Sequence, residues 1–181
     1  MKPQEDVVSR KHKTRDQLIS LVRSLQKGGE RIGWTNGCFD LLHAGHVRYL
    51  FEAARQVDRL VLGLNSDESI SRIKGPTRPV VPQEDRLLIM SALECIDYVT
   101  VFDEDTTVPS LEQVRPDTYF KGGDYAIDTI NQEERCLVEG YGGQIVILSG
   151  VEGRSTTEII ERIQAIDFPH RLPGLVARRR R

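Results

Sequence analysis

No stretch of this 181-residue chain is apolar for long enough to cross a bilayer, and the polar opening from Met1 to Asp16 contains no apolar run of the kind a secretory leader needs. Cysteine is scarce. Cys38, Cys95 and Cys136 are an odd number without CxxC or zinc-type spacing, which excludes a disulfide framework and a structural metal centre and fits a reducing compartment. Net charge is nearly absent: 25 Lys and Arg against 27 Asp and Glu leave −2, so no global basic field recruits nucleic acid. The terminal run Arg178 to Arg181 is too short to change that, and it is the only low-complexity segment. These absences describe a cytoplasmic globular protein with neither a membrane nor a nucleic-acid partner.

What is present is an alternation. Leu18, Ile19, Val22 and Leu25 recur at helical spacing between Thr14 and Lys27, and Gly28-Gly29 stops the pattern. Short apolar runs at 31–35, 59–64, 98–102, 118–121 and 144–148 predict strands buried on both faces. Helical patterns at 46–56, 83–94, 110–114 and 131–139 separate them, and one at 155–166 follows the last. This order predicts an α/β fold, a Rossmann-like five-stranded parallel sheet with helices on both faces. The length suits one such domain over 30–167, with an N-terminal extension over 1–29 carrying the amphipathic helix and a basic tail over 168–181.

Ligands of parallel sheets bind beyond the carboxyl ends of the strands. The first such turn reads Thr35-Asn36-Gly37-Cys38-Phe39-Asp40-Leu41-Leu42-His43-Ala44-Gly45-His46. Gly37 permits a close backbone approach, and His43 and His46, three apart at a helix start, share one side of its first turn beside unpaired N–H groups that favour an anion. Gly45 removes a side chain where a nucleotide would lie against the helix. Asp40 could orient a ring or a metal-bound water, and Cys38 is assigned to packing. No third His or Cys lies nearby to complete a zinc site.

The last helix opens on Gly153-Arg154-Ser155-Thr156-Thr157-Glu158, which reads equally as a capping box and as a cradle for phosphate oxygens. Segment 65–79 is read as a loop from which Lys74 and Arg78 project, Lys74 being suited to neutralise phosphate. Arg86, near a helix start, is either a phosphate counter-charge or a solvated charge. Lys121-Gly122-Gly123-Asp124 follows the fourth strand and suits either a ligand or a plain glycine turn.

The first turn resembles the signature of the nucleotidyltransferase superfamily that includes cytidylyltransferases, pantetheine-phosphate adenylyltransferase and, more distantly, class I aminoacyl-tRNA synthetases, whose shared element is His-x-Gly-His. The run from Gly153 to Thr157 resembles its second signature. Together with segments 63–67, 74–80, 102–106 and 121–125, they look like D-glycero-β-D-manno-heptose 1-phosphate adenylyltransferases in the stand-alone form, over roughly Ile32 to Ile163. One departure stands out. Related cytidylyltransferases carry an arginine three residues before the glycine of the second signature, where this chain has Gly150, and Arg154 stands one residue after that glycine.

The resemblance implies adenylyl transfer from ATP to the sugar phosphate, with Mg2+ carried by the nucleotide, no protein-held metal, and a homodimer. It implies His43, His46 and Lys74 as catalytic groups and Thr35, Asn36, Gly37, Phe39, Asp40, Gly45, Arg86, Gly153, Arg154, Ser155, Thr156 and Thr157 as nucleotide-binding. Asn65, Lys121, Gly122 and Asp124 are assigned to the sugar phosphate. A cytidylyltransferase or an FAD synthetase-like enzyme would share the phosphate machinery, and a nucleotide-binding regulatory module without catalysis would share the fold.

Overall fold

The structure, a computed structural model, describes residues 4–123, 125–149 and 156–166. Two helices come first, α1 (Gln4–Lys11) and α2 (Arg15–Lys27). The alternating part follows: β1 (Ile32–Gly37), α3 (Ala44–Ala54), β2 (Arg59–Asn65), α4 (Asp67–Lys74), α5 (Gln83–Ala92), β3 (Tyr98–Phe102), α6 (Val108–Val114), β4 (Thr118–Gly123), α7 (Gln132–Gly140), β5 (Gln144–Ser149) and α8 (Thr156–Ala165). The five strands form one parallel sheet in the order β3-β2-β1-β4-β5. The expected α/β class and strand number hold. Among the described residues no helix is long and apolar enough to cross a membrane.

Period-two alternation explains both faces. Leu60, Leu62 and Leu64 of β2 and Phe120 of β4 join Leu50 and Ala53 of α3 and Met90 of α5 in one buried cluster. Val61, Trp34 and Tyr119 point the other way and pack with Leu18 and Val22 of α2, Leu111 of α6 and Val138 of α7. Leu18 and Val22 have no exposed surface, so the N-terminal extension is built into the core of the domain.

Two elements differ from expectation. Segment 1–16 offers no apolar periodicity, yet Gln4–Lys11 is helical and packs on α5, with Lys11 Nζ donating to the Leu93 carbonyl at 2.7 Å. Beyond it His12 bridges Val99 in parallel fashion, and the Lys13 N–H donates to the Val99 carbonyl at 2.9 Å. Docking, not local preference, makes this helix. Segment 65–79 is not wholly a loop: Ser66 caps α4 by accepting from the Ser69 N–H at 2.9 Å, and Asp67 and Glu68 favour its N-terminus. Lys74 therefore stands on the last turn of a helix.

The chain runs from β1 outward through β2 to β3, then crosses back to β4 and β5. The switch point lies between β1 and β4, where diverging connections leave a crevice at the carboxyl edge.

Candidate functional site

The turn after β1 is shaped by Phe39, whose φ of 44° places it in the left-handed region and whose ring is buried against His46, centroids 5.2 Å apart. His43 is the N-cap residue of α3 and makes no side-chain cap bond. Its ring stacks on His46 with centroids 3.8 Å apart and planes 24° from parallel. Nδ1 of each ring is buried and lacks a protein hydrogen-bond partner among the described residues. Burial pushes the His46 pKa down to about 4, with the nearby His43 and Lys74 adding to the shift. Burial lowers His43 as well, opposed by Glu158. Both rings are thus neutral at pH 7, each with one N–H to donate to an anion.

Asp40 does not orient either ring. Its carboxylate accepts from Arg78 Nε and Nη2, both at 2.6 Å, and from the N–H groups of Val80 and Val81 at 2.8 and 2.9 Å, so Arg78 does not project as a free cation. Arg86 is likewise engaged within the protein. It has no exposed surface, and its guanidinium donates to the carbonyls of Val81, Cys38 and Asn65 and to the Asp67 carboxylate. A guanidinium committed to four acceptors ties the ends of β1 and β2 to the start of α4, a structural role away from the cleft lining. Asn65 donates to Ser69 Oγ at 3.0 Å, and Cys38 lies beside it, its thiol pKa raised by burial.

On the β4 side, Tyr49 of α3 reaches across the sheet edge to donate to the Phe120 carbonyl at 3.0 Å. Its single proton is thereby used, so the Thr35 hydroxyl 2.5 Å away is the donor in that pair. Thr35 therefore lies beneath the cleft, not in it. Gly122 is explained by the same tyrosine: a Cβ there would sit 2.5 Å from Cδ2 of the Tyr49 ring. Lys121 is ion-paired with Glu134 at 2.9 Å and lies 4.9 Å from the Tyr119 ring and 6.0 Å from that of Tyr125. The Tyr119 hydroxyl donates to the same Glu134 oxygen at 2.7 Å and lies 3.0 Å from Asn36 Oδ1.

These parts meet in a cleft of about 1010 Å³ across the carboxyl edge. Of the residues singled out in the sequence, Asn36, Gly37, Phe39, Asp40, His43, Gly45, His46, Asn65, Lys74, Lys121, Gly122 and Thr156 line it. Thr35, Arg86 and the exposed Thr157 do not. Asp124, Gly153, Arg154 and Ser155 lie outside the described residues, as does the tail. Cys38, assigned to packing, also lines the cleft, as do Glu158, read as part of a cap, and Phe102, Asp105, Thr106, Gly123 and Tyr125, which lie in segments singled out without a role; sequence reasoning missed Tyr49, Ile73, Thr107, Phe120 and Glu134. Thr107 is 1% exposed, and its hydroxyl has no partner among the described residues. Among the described residues no three His, Cys, Asp or Glu side chains gather to hold a metal ion.

Comparison with known proteins places this geometry. The cytidylyltransferase-like family matches residues 34–162, which carry β1 through most of α8. The bifunctional protein HldE of Syntrophotalea carbinolica is 51% identical over 153 residues, and that of Geobacter sulfurreducens 52% over 153; each alignment covers 84% of this chain and 31% of the relative. The chain thus spans about a third of the length of these curated relatives. Among solved structures, the lipopolysaccharide core biosynthesis protein from Thermoplasma volcanium GSS1 superposes with a TM-score of 0.55 at 26% identity, covering 68% of this chain and 98% of that one. Pantoate-beta-alanine ligase from Francisella tularensis shares the fold at 14% identity, with a TM-score of 0.56, covering 88% of this chain and 81% of its own. The chain belongs to the cytidylyltransferase-like family.

Proposed function

We propose that this chain transfers the adenylyl group of ATP to D-glycero-β-D-manno-heptose 1-phosphate, giving ADP-heptose and pyrophosphate. The observation that carries the transfer chemistry is the stacked pair His43 and His46: two neutral rings with unpartnered nitrogens at a helix N-terminus, in a cleft at the switch point of a parallel sheet. The acceptor is supported by the likeness of six segments to heptose 1-phosphate adenylyltransferases, by the HldE relatives, and by the structural neighbour named for lipopolysaccharide core biosynthesis.

The reaction needs no protein nucleophile. A phosphate oxygen of the sugar attacks the α-phosphorus of ATP, the bond from that phosphorus to the bridging oxygen of the β-phosphate breaks in line, and pyrophosphate leaves. Positioning and charge stabilisation then account for the rate. His43 and His46 donate to α-phosphate oxygens, and Lys74, close enough to depress His46, adds a mobile positive charge. The β- and γ-phosphates extend toward the start of α8, where Thr156 lines the cleft and the run from Gly153 to Ser155 precedes it. Mg2+ carried by the nucleotide would neutralise charge on the phosphates.

Phosphates held between the starts of α3 and α8 put the nucleoside over β4 and leave the β2–β3 half for the acceptor. Lys121 fits the nucleoside side better than a phosphate, because its charge is already paired with the Glu134 carboxylate. Lys74, Asn65, Thr106 and Thr107 are then the acceptor's surroundings. A cytoplasmic homodimer is the form that accompanies this reading.

Incubation with each nucleoside triphosphate, Mg2+ and heptose 1-phosphate, followed by pyrophosphate assay, tests it. Turnover with ATP alone is expected. Turnover with CTP instead would make the chain a cytidylyltransferase, and no turnover with any triphosphate would leave a binding module.

A further inference from the structure

We infer that Glu134 selects the base of the nucleotide, accepting through Oε1 a hydrogen bond from the exocyclic amine of adenine. This rests on the nucleotide-binding reading above and names one determinant of it. Glu134 is 4% exposed, yet it lines the cleft. Its two protein contacts, from the Tyr119 hydroxyl at 2.7 Å and Lys121 Nζ at 2.9 Å, both fall on Oε2. Oε1 carries no hydrogen bond among the described residues and is not one of the fully buried unpartnered oxygens, so it keeps an accessible face in the cleft.

The backbone under this group is fixed. Asn131 caps α7, its Oδ1 accepting from the N–H of Glu133 at 2.9 Å and of Glu134 at 3.4 Å. Glu134 occupies the position from which a glutamate commonly folds back on its own cap. Here it turns instead to β4 and the cleft. Lys121 holds the opposite charge beside it, so the carboxylate does not oppose a polyanionic ligand.

The chemistry of the neighbours indicates a base. Tyr125 lines the same end of the cleft with half its surface exposed, offering an aromatic face on which a purine can stack. A stacked base presents its ring edge to the wall formed by Lys121 and Glu134. An ionised carboxylate only accepts hydrogen bonds, so it matches the amine at C6 of adenine, as it would the amine at C4 of cytosine, and in the same pose it repels the carbonyl oxygen at C6 of hypoxanthine.

Calorimetric binding to the whole chain, with no sugar present, tests this with ATP, inosine 5′-triphosphate and 2′-deoxy-ATP. One hydrogen bond to a charged group predicts roughly 10- to 150-fold tighter binding of ATP than of the inosine nucleotide, with 2′-deoxy-ATP close to ATP. In Glu134→Gln, whose amide can also donate, the ATP-to-inosine ratio should collapse toward one. Equal affinity of the wild-type chain for ATP and the inosine nucleotide overturns the inference. So does a Gln variant that loses both in the same proportion. If the Gln variant does not fold, Glu134→Asp, which keeps the charge beside Lys121 but shortens the reach to the base, takes its place and should show the same collapse of the ratio. Absence of all nucleotide binding would remove the proposed function as well, whereas indifference to the base removes only Glu134.

Discussion

Gly122 and Tyr49 occupy one another's space: a Cβ on Gly122 would fall 2.5 Å from Cδ2 and 2.6 Å from Cε2 of the tyrosine ring. The ring cannot yield without losing its hydrogen bonds to Phe120 and Thr35. Because Tyr49 lies on the helix that begins at His43, the glycine sets how close that helix comes to β4.

Gly122→Ala is therefore expected to destabilise the fold by about 1–3 kcal/mol, the usual cost of overpacking, and to lower turnover by displacing α3. Urea denaturation read beside pyrophosphate release checks both. A variant as stable and as active as the parent would show that α3 tolerates the shift.

Arg86→Met should cost about 3–5 kcal/mol, because it strips a buried charge from several acceptors at once. Activity loss should track the loss of folded protein. If melting were unchanged while KM for ATP rose, Arg86 would be a phosphate ligand after all.

His46→Ala should lower kcat by roughly 10²–10³, the effect of removing one preorganised donor to transition-state charge. Circular dichroism should show a folded protein. Unchanged kcat would take His46 out of the chemistry.

The folded-state pKa values of His12, His43 and His46 all lie below the ordinary 6.5, that of His46 at about 4. Between those values the unfolded chain binds more protons than the folded one, so stability is complete above about pH 6.5 and declines as pH falls toward 4. Melting temperature followed over this range should show the decline. His46→Gln should flatten it, and a slope identical to the parent's would mean that the ring titrates normally.

The strands and the His-x-Gly-His turn were legible in the sequence because their signals are local: apolar runs, a glycine, and histidines one helical turn apart. What escaped was made by contact at a distance. The Arg86 donors go to carbonyls on three separate segments, which no spacing encodes. Glu134, three residues after Asn131, carries the pattern of a helix cap, and that reading hides its turn toward Tyr119 and Lys121. Tyr49 sits in a helical apolar pattern and reads as ordinary core. In α4 only Ile70 and Ile73 are apolar, too few to set a period, and Gln4–Lys11 is helical by docking on α5.

The N-terminal strap has a further bearing. β3 is one of the two edge strands, and the Lys13 N–H donates to its Val99 carbonyl just where the sheet would otherwise offer unpaired backbone to another chain. With α1 lying on α5 beside it, the segment acts as a cover that discourages edge-to-edge stacking of one molecule on the next. The residues ahead of the alternating fold thus cover the sheet at the edge farthest from β5.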